Sequence, residues 1–381
     1  MINYADKMHN YDTKNHEFES KVGVVGASGY AGLELVRLLQ RHPAANLRVC
    51  FSTNASFNFA DYLPDRSARG ITVVSVKELP NWVHELHTVF LATPVEVSVE
   101  LAPQLLKAGI NVIDLSGAFR LTGGTKEDRM KVYEDFYQLK HPCPELLDQA
   151  EYGLLPWKSQ GESVASRAGL PTLVANPGCY ATSVLMALLP LLKRNLIQSE
   201  GIVIDAKSGT TGAGRKAKEN LLFTEVEGEC LPYRIAKHQH LPEIRQFTKS
   251  FASVDIDPAF ATHLLPIRRG ILTSIYAKLS PDVTAHDIEV AFCTDYSDYG
   301  LVEWGELHGG MDRSDNYSLS LKRVVGTGMT RLHYQLDSGK LYLFSMIDNL
   351  IKGAAGQAIE NFNAIRKIPV GTGLKHLEGV L

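Results

Sequence analysis

The chain has 381 residues, of which 45% are hydrophobic, and its 39 Lys and Arg against 42 Asp and Glu give a formal net charge of −3 at pH 7. This length and composition predict a large core divided between about two domains, and the charge balance excludes a polybasic nucleic-acid-binding protein. No apolar run reaches the ~18 residues that a membrane-spanning helix needs. Five cysteines without a Cys-x-x-Cys pair argue against a disulfide framework or a structural zinc site and indicate a reducing cytoplasm.

The first half of the chain alternates predicted strands and helices. Residues 1–20 are polar, lack the apolar segment of a signal peptide and are predicted to form a flexible arm. A buried strand over 21–25 leads into a glycine-rich turn and a helix that ends at residue 40. Further strands are predicted at 47–52, 88–92 and 110–115, with a helix over 95–108. This alternation predicts an α/β fold with a Rossmann-type parallel sheet and right-handed crossovers.

The second half has a different pattern, in which strand-like segments dominate. Strands are predicted at 201–206, 261–266, 271–279, 324–336 and 341–346, with a Gly-rich loop over 208–214. This pattern predicts an α+β domain built on a mixed, largely antiparallel sheet. Asp348 and Asn349 can cap a last helix that continues to about residue 365.

The segment Gly26-Ala27-Ser28-Gly29-Tyr30-Ala31-Gly32 follows a predicted strand and opens a helix. In that context a glycine turn binds a pyrophosphate on the helix N-terminus, although a purely structural tight turn is the alternative. The second strand ends at Ser52-Thr53-Asn54, where an NAD site would carry a carboxylate for the ribose hydroxyls. Without an acid there a 2′-phosphate is tolerated, so the predicted cofactor is NADP. The residues predicted to contact it are Gly26, Ala27, Ser28, Gly29, Tyr30, Gly32, Ser52 and Thr53.

A cysteine follows a short polar turn in Asn176-Pro177-Gly178-Cys179-Tyr180 and precedes an apolar, helix-prone run over 181–192. The spacing predicts that Cys179 lies at a helix N-terminus. Unpaired N–H groups and the helix dipole favour an anion there, so the thiol is predicted to ionise more easily than a free cysteine. A thiolate is a strong nucleophile toward acyl groups. The alternative is a buried structural cysteine.

Two histidines lie in Lys237-His238-Gln239-His240-Leu241-Pro242-Glu243-Ile244. Pro242 and Glu243 suit the first turn of a helix, which places His240 near its N-cap. A general base or acid that acts with Cys179 is the functional interpretation. Two alternatives stay open: a metal site, for which no third ligand cluster is present, and histidines without a special role. No metal is predicted.

Two further segments carry candidate anion-binding groups. The loop S-G-T-T-G-A-G-R-K over 208–216 combines backbone N–H groups, hydroxyls, Arg215 and Lys216, and could hold a phosphate or a carboxylate; an exposed flexible loop is the alternative. Arg120, in D-L-S-G-A-F-R after a predicted strand, would lie near the cofactor end of the first sheet. An ordinary surface arginine is the alternative there.

Seven motifs occur in order along residues 21 to about 377: G-A-S-G-Y-A-G, D-L-S-G-A-F-R-L, N-P-G-C-Y, S-G-T-T-G-A-G-R-K, K-H-Q-H-L-P-E-I, H-L-L-P-I-R-R-G-I and D-N-L-I-K-G-A-A-G-Q-A. As a set they closely resemble the N-acetyl-γ-glutamyl-phosphate reductase family, the arginine-biosynthesis branch of the semialdehyde dehydrogenase superfamily. The resemblance implies an oxidoreductase that uses NADPH to reduce N-acetyl-γ-glutamyl phosphate to N-acetyl-glutamate semialdehyde and phosphate, and that forms homodimers or homotetramers.

The resemblance also implies roles for residues. Cys179 matches the family nucleophile and His240 its acid or base, with His238 less favoured. Ala181 and Leu241 depart from the usual family pattern without removing a reacting group. Gly209, Gly212 and Asn349 join the predicted cofactor contacts, and the predicted substrate contacts are Ser116, Arg120, Asn176, Arg215, Lys216 and Arg269.

The implied domain arrangement has a flexible arm over 1–20, an NADP-binding domain over 21–175 and 348–381, and a catalytic, substrate and oligomerisation domain over 176–347. Two other functions are weighed against the reductase. A sister enzyme would act on aspartyl phosphate or on a carrier-bound aminoadipyl or glutamyl phosphate. A non-enzymatic NADP-binding sensor would keep the glycine turn alone, and the joint presence of Cys179, His240 and the 208–216 loop argues against it.

Overall fold

The structure is a computed structural model that describes residues 19–53, 57–63, 70–157, 170–307 and 318–374. Within these residues the first sheet has seven strands in the order β3-β2-β1-β4-β5-β7-β6, and every neighbouring pair is parallel. Its strands are β1 Ser20–Val25, β2 Ala45–Ser52, β3 Val73–Ser75, β4 Thr88–Leu91, β5 Asn111–Asp114, β6 Glu151–Tyr152 and β7 Leu173–Ala175. The strand order reverses between β1 and β4, which is where doubly wound sheets bind their ligands.

The helices of the first half connect these strands. They are α1 Tyr30–Leu39, α2 Leu79–Trp82, α3 Val95–Lys107 and α4 Lys126–Val132, and a π-helical turn, Tyr133–Tyr137, continues α4. The predicted Rossmann-type sheet is therefore confirmed. The short strands β3, β6 and β7 escaped prediction because two or three residues are too few to show a periodic pattern. The predicted arm lies outside the described residues up to residue 18, and Ser20 already belongs to β1.

In the described part of the second half, the other sheet also has seven strands, in the order β12-β13-β14-β11-β8-β10-β9. They are β8 Val203–Gly209, β9 Leu231–Tyr233, β10 Ala259–Leu265, β11 Ile271–Lys278, β12 Val302–Glu306, β13 Thr330–Asp337 and β14 Lys340–Ile347. The β8–β10 and β12–β13 pairs are parallel and the other pairs antiparallel. This confirms a mixed, largely antiparallel sheet.

Two predicted boundaries in this half were wrong. Ser208 and Gly209 belong to the end of β8, and the loop turns only at Thr210–Ala213. Residues 324–329, predicted as strand, form turns before β13 begins at Thr330. Gly326 adopts a φ of +87°, which interrupts an extended strand.

The helices of the second half are α5 Cys179–Lys193, α6 Phe223–Val226, α7 His240–Ala252, α8 Ala285–Tyr296 and α9 Gly356–Ile365. All residues of α5 from Tyr180 to Leu192 are buried, because the helix is apolar on every side and lies at the centre of the molecule. One hydrophobic cluster runs from Val24 of β1 through α5 to Ile204 of β8 and Ile275 of β11. The two sheets therefore share a continuous core.

The chain returns to the first sheet after β14. The Asp348 carboxylate accepts hydrogen bonds from the N–H groups of Leu350 and Ile351, 2.8 and 3.1 Å away, as a helix cap does. The predicted last helix begins as a π-helical turn, Ile351–Ala355, and continues as α9. In α9 Phe362 packs against Phe90 of β4, with ring centroids 6.0 Å apart.

A fully buried charged cluster holds this returning segment. The Lys352 Nζ lies 2.8 Å from the Glu360 carboxylate and donates a 2.6 Å hydrogen bond to the Tyr299 hydroxyl, which in turn donates to Glu360. The cluster joins the π-helical turn to α9 and to the turn that follows α8.

Within the described residues, none of the helices has the length and apolar character needed to cross a membrane. Over the same residues, no group of three or more His, Cys, Asp or Glu side chains is arranged to hold a metal ion.

Candidate active site

A cleft of about 630 Å³ opens where the carboxyl ends of β1 and β4 meet the second sheet. Eleven of the residues predicted to have site roles line it: Gly29, Tyr30, Gly32, Ser116, Arg120, Cys179, Gly212, Arg215, His238, His240 and Asn349. The structure thus brings the glycine turn, the cysteine, both histidines and part of the anion loop into one cavity.

The glycine turn forms one wall of the cleft. Gly26 has a φ of +81°, which a side chain would strain. A Cβ on Gly32 would lie 2.3 Å from the Gly26 carbonyl oxygen, so only glycine lets α1 start this close to the turn. Gly29 is the N-cap of α1 and provides no side-chain cap. The first N–H groups of α1 are therefore suited to an anion, and the cradle fits the pyrophosphate of a dinucleotide.

The structure describes two of the three residues at the end of β2, where the ribose is expected to bind. Ser52 is buried within β2 and Thr53 is exposed directly after it, whereas Asn54 lies outside the described residues. Gly26, Ala27 and Ser28 form the turn behind the lining residues. Ser28 presents its carbonyl oxygen to Arg215, whose Nη1 donates a hydrogen bond 2.8 Å long.

Cys179 is the first residue of α5, as predicted, and is partly exposed in the cleft. A Cβ on Gly353 would lie 2.7 Å from the Cys179 Cβ, so the π-helical turn approaches the cysteine closely. Burial raises the pKa of the Cys179 thiol to about 11, although Arg120 and the N–H groups of Tyr180 and Cys179 act to lower it. The prediction that this thiol ionises more easily than a free cysteine was therefore wrong for the resting site, because desolvation outweighs the helix N-terminus.

His238 and His240 are both buried, and His240 is the first residue of α7. The His240 N–H donates to Nδ1 of His238 over 3.2 Å. The His238 ring also makes edge contacts with Tyr180, Tyr233 and Phe260. His238 is thus fixed within an aromatic cluster and supports the backbone of His240.

The His240 imidazole lies against the turn before the cysteine, because a Cβ on Gly178 would be 2.1 Å from its Nε2. The Arg120 Nη1 lies 3.4 Å from the same Nε2. Arginine can only donate, so this contact requires a neutral imidazole with its lone pair on Nε2. Burial, with the charges of neighbouring cations, lowers the pKa of His240 well below its usual range and that of His238 to about 3.

Arg120 is buried, so the surface alternative is excluded. Its Nε donates to the Asn176 carbonyl at 2.8 Å and its Nη2 to the Leu115 carbonyl at 3.0 Å. Its Nη1 lies 3.6 Å from the Glu243 carboxylate. Glu243 in turn accepts hydrogen bonds from the Gly178 N–H and the Tyr152 hydroxyl, at 2.8 and 2.7 Å. Burial raises the pKa of Glu243, and Arg120 opposes that rise.

Two predicted substrate residues, Asn176 and Ser116, use their side chains for hydrogen bonds within the protein. Asn176 is fully buried; its Nδ2 donates to the Ala354 carbonyl and its Oδ1 accepts from Asn361. Ser116 lines the cleft, and its hydroxyl donates to the buried Asp114 carboxylate at 2.8 Å. Both residues fix the backbone that carries Arg120 and Cys179.

The anion loop is fixed from behind by Asn349. Its Oδ1 accepts from the Gly270 N–H at 2.8 Å, and its Nδ2 donates to the Thr211 hydroxyl at 3.0 Å. Gly209 packs against the Arg268 backbone, where a Cβ would lie 2.7 Å from the carbonyl carbon. Lys216 is exposed and lies outside the cleft lining, so its predicted contact with substrate lacks support from its position.

Arg269 was predicted to bind substrate, and the structure places it elsewhere. Its guanidinium lies 2.8 Å from the Glu34 carboxylate of α1 and 2.9 Å from that of Asp348. It does not line the cleft. Two carboxylates neutralise this cation. The two ion pairs join α1 to the end of β14 in the second sheet.

Sequence reasoning missed the roles of Glu243 and Arg234. Arg234 lines the cleft, has a strained φ of +47° and donates from Nη1 to Gln239. Its charge helps to lower the pKa of both histidines. Its position four residues before His238 was the available signal. The contacts of Glu243 gave no such signal, because they come from the first half of the chain.

Two family models match the chain. The semialdehyde dehydrogenase NAD binding domain matches residues 21–162, and the semialdehyde dehydrogenase dimerisation domain matches residues 179–349. Among solved structures, a probable aspartate-semialdehyde dehydrogenase from Pseudomonas aeruginosa has a TM-score of 0.63 at 17% identity, covering 90% of this chain and 96% of that chain. The aspartate semialdehyde dehydrogenase with NADP from Candida albicans has a TM-score of 0.59 at 16% identity, covering 92% and 99%. These two structures share the fold.

Two relatives of higher identity carry the same name. The N-acetyl-γ-glutamyl-phosphate reductase of Geobacillus sp. (strain WCH70) is 37% identical over 90% of this chain and 95% of its own length. The protein of the same name from Brevibacillus brevis is 35% identical over 93% of this chain and 97% of its own length. The chain belongs to the N-acetyl-γ-glutamyl-phosphate reductase family of the semialdehyde dehydrogenases.

Proposed function

We propose that this chain is an oxidoreductase that reduces N-acetyl-γ-glutamyl phosphate to N-acetyl-L-glutamate 5-semialdehyde and phosphate, with NADPH as reductant, in arginine biosynthesis. The observation that carries the proposal is the shared cleft. It holds an uncapped helix N-terminus at the glycine turn, the Cys179 thiol and the neutral His240. Relatives at 35–37% identity bear the name of this reaction.

The cofactor site consists of the glycine turn and the start of α1, with Gly212 and Asn349 on the opposite wall. Bound NADPH would supply the hydride. The preference for NADP is supported by the absence of an acidic side chain at Ser52 and Thr53. The Candida albicans neighbour of the same fold is described as a complex with NADP.

The chemistry begins with Cys179 as a thiol, since burial keeps its pKa high, and with His240 neutral. His240 accepts the thiol proton at Nε2, in place of its contact with Arg120, as Sγ attacks the γ-acyl carbon. A carbon–sulfur bond forms, the bond from carbon to the phosphate oxygen breaks, and phosphate leaves. The product on the protein is a thioester at Cys179.

Bound NADPH would supply hydride to the thioester carbon, and the resulting thiohemiacetal oxyanion would be attached to Cys179. The protonated His240 donates its proton to that oxygen, and the Cys179 N–H at the start of α5 can stabilise the negative charge before the proton arrives. Collapse of the thiohemiacetal breaks the carbon–sulfur bond. His240, neutral again, accepts the hydroxyl proton as the aldehyde forms and returns a proton to the sulfur.

The substrate carries a phosphate and a carboxylate, and both need cations. Arg120 and Arg234 are the cleft arginines whose charges act on the two histidines. Arg120 is held by two backbone carbonyls and by Glu243, so its position is fixed before substrate arrives. We assign these two arginines to the anionic groups of the substrate without dividing the groups between them.

We propose a cofactor domain over residues 21–175 and 348–381 and a catalytic and oligomerisation domain over residues 176–347. Residues 158–169, 308–317 and 375–381 of these ranges lie outside the described residues. The packing of Phe362 against Phe90 supports the return of the C-terminal segment to the first sheet. The match to a dimerisation domain supports a homodimer or homotetramer. The five free cysteines support a cytoplasmic location.

The decisive experiment runs the reaction backwards. Purified protein is mixed with N-acetyl-glutamate semialdehyde, phosphate and NADP, and NADPH absorbance is followed. We expect turnover that depends on all three compounds and that is absent in Cys179→Ser. Aspartate semialdehyde serves as the comparison substrate. Faster turnover with aspartate semialdehyde, or turnover in the forward direction only with a carrier-bound acyl phosphate, would assign the chain to a sister reaction.

A further inference from the structure

Arg215 differs from the other cleft arginines in what it contacts. It lies on the loop after β8, in the second half of the chain, yet its Nη1 donates to the Ser28 carbonyl in the glycine turn. Its guanidinium carbon lies 4.1 Å from the centroid of the Tyr62 ring. Both partners belong to the first half, so Arg215 crosses the cleft.

The two partners locate Arg215 along a dinucleotide. Ser28 belongs to the turn that follows β1, and Tyr62 belongs to the segment that follows β2. In Rossmann-type sheets the pyrophosphate lies on the helix after the first strand, and the adenosine ribose lies over the end of the second strand. Arg215 therefore lies at the adenosine end. Arg120, by contrast, contacts Asn176, in the turn before Cys179, and His240, whose ring lies against Gly178 of the same turn.

The chemistry of Arg215 suits a phosphate at that end. A guanidinium stacked on an aromatic ring is held in plane and presents a fork of N–H donors that matches phosphate oxygens. One donor is used for Ser28, and a guanidinium has five. Thr53 is exposed at the end of β2 and brings no competing carboxylate.

We propose that Arg215 is a specificity-determining residue that binds the 2′-phosphate of NADP, with Tyr62 orienting its guanidinium. This inference rests on the proposed function for its cofactor and replaces the sequence-based expectation that Arg215 binds substrate. The cation that distinguishes NADP from NAD then comes from the catalytic half of the chain.

The test measures binding, so it does not depend on turnover. Adenosine 2′,5′-bisphosphate and adenosine 5′-monophosphate differ only in the 2′-phosphate, and their affinities can be determined by calorimetry for wild type and Arg215→Met. Since hydrogen bonds between charged groups are the strong ones, we expect Arg215→Met to weaken the bisphosphate by about 10- to 100-fold. The monophosphate should change by less than about threefold.

Matched variants separate this role from others. Arg48→Met removes an exposed arginine of the first half, whose partner is Glu85, and should leave both affinities unchanged. Tyr62→Phe should preserve the bisphosphate affinity, because the ring remains. Tyr62→Leu should lower that affinity by about two- to fivefold, the effect of an exposed cation–π contact. Thermal unfolding of each variant reports whether it is folded.

Three results would overturn the proposal. Equal losses for both nucleotides would assign Arg215 to the pyrophosphate or to the integrity of the turn. Unchanged affinity for the bisphosphate in a folded Arg215→Met would exclude the contact. An unchanged nucleotide affinity with a raised KM for the acyl phosphate would return Arg215 to the substrate. Failure of the reductase assay with the bisphosphate preference intact would instead contradict only the proposed function.

Discussion

The two ends of the cleft both stabilise negative charge, but they do so by different means. At the glycine turn, backbone N–H groups, an uncapped helix start and the exposed Arg215 face the cleft. At the cysteine, Arg120 and Glu243 are buried beside one another, and both bond to the backbone of the turn before Cys179. Arg120 donates to the Asn176 carbonyl, and Glu243 accepts from the Gly178 N–H. The first end is suited to binding a ligand that is already charged, and the second to creating charge only during the reaction.

The comparison shows that a helix N-terminus does not act alone. Both α1 and α5 begin at a glycine N-cap without a side-chain cap. A helix terminus contributes up to about 2 kcal/mol to an anion in favourable geometry. At Cys179 burial outweighs that contribution and raises the pKa of the thiol to about 11. The local motif is the same at both ends, and the surroundings decide the charge.

The largest expected effect comes from a substitution at the cysteine end that leaves the glycine turn unchanged. Cys179→Ser should abolish reduction while leaving NADPH binding nearly unchanged, because an alkoxide forms far less readily than a thiolate. Turnover and cofactor fluorescence titration measure the two properties. Activity within about tenfold of wild type, a loss below ~1.4 kcal/mol, would contradict the assignment of the nucleophile.

The next effect separates the two histidines. His240→Asn should lower kcat by about 10²–10⁴-fold, the usual contribution of a general base, and His238→Asn should lower it less. Burial lowers the pKa of His240, so the neutral base persists below pH 6.5. In wild type, kcat/KM should therefore fall only as the pH drops through that lowered pKa, and His240→Asn should flatten this acidic limb. Greater damage in His238→Asn would move the role to His238.

A third experiment tests the charge state of the resting thiol. Because the pKa of Cys179 is raised, its thiolate fraction is small at pH 7. This fraction grows about tenfold with each unit by which the pH rises, until the pH reaches the pKa. Alkylation of Cys179 by iodoacetamide should follow this rise from pH 7 to about pH 10. Peptide mass spectrometry resolves it from the exposed Cys230 and Cys293, which serve as internal references. A plateau near pH 7 would show a thiolate that is already present.

The smallest expected effect comes from a substitution near the glycine turn that leaves the cysteine end unchanged. Thr53→Asp places a carboxylate where the ribose 2′ group is expected and should shift the ratio of kcat/KM from NADPH toward NADH by about tenfold, or ~1.4 kcal/mol. The alkylation rate of Cys179 should stay the same. Equal kcat/KM for both cofactors in the wild type would refute the predicted preference for NADPH.

Much of the turn end could be predicted from sequence, because its determinants are local. The glycine spacing, the strand before it and the helix after it lie within about twenty residues and obey one geometric rule. The starts of α5 at Cys179 and of α7 at His240 were likewise encoded by neighbouring residues. The parallel and the mixed sheet followed from the order of apolar segments.

The cysteine end depended on contacts between distant segments. Glu243 reaches Gly178, Tyr152 and Arg120, and Arg269 is neutralised by Glu34 and Asp348. Motif spacing cannot report such partners, so Arg269 was expected at the substrate and the desolvation of Cys179 was underestimated. Arg215 was recognised as a cation, but its contact with the turn appears only in the folded chain.

The buried cluster of Lys352, Glu360 and Tyr299 has a consequence for how this family can diverge. Removing one member of a buried ion pair typically costs about 3–5 kcal/mol, whereas replacing all members with packed apolar residues is often neutral. A sequence in which only one of the three residues has been replaced would therefore be poorly folded. We expect the three positions to be inherited together, and a lineage that has lost the lysine should also have lost the glutamate.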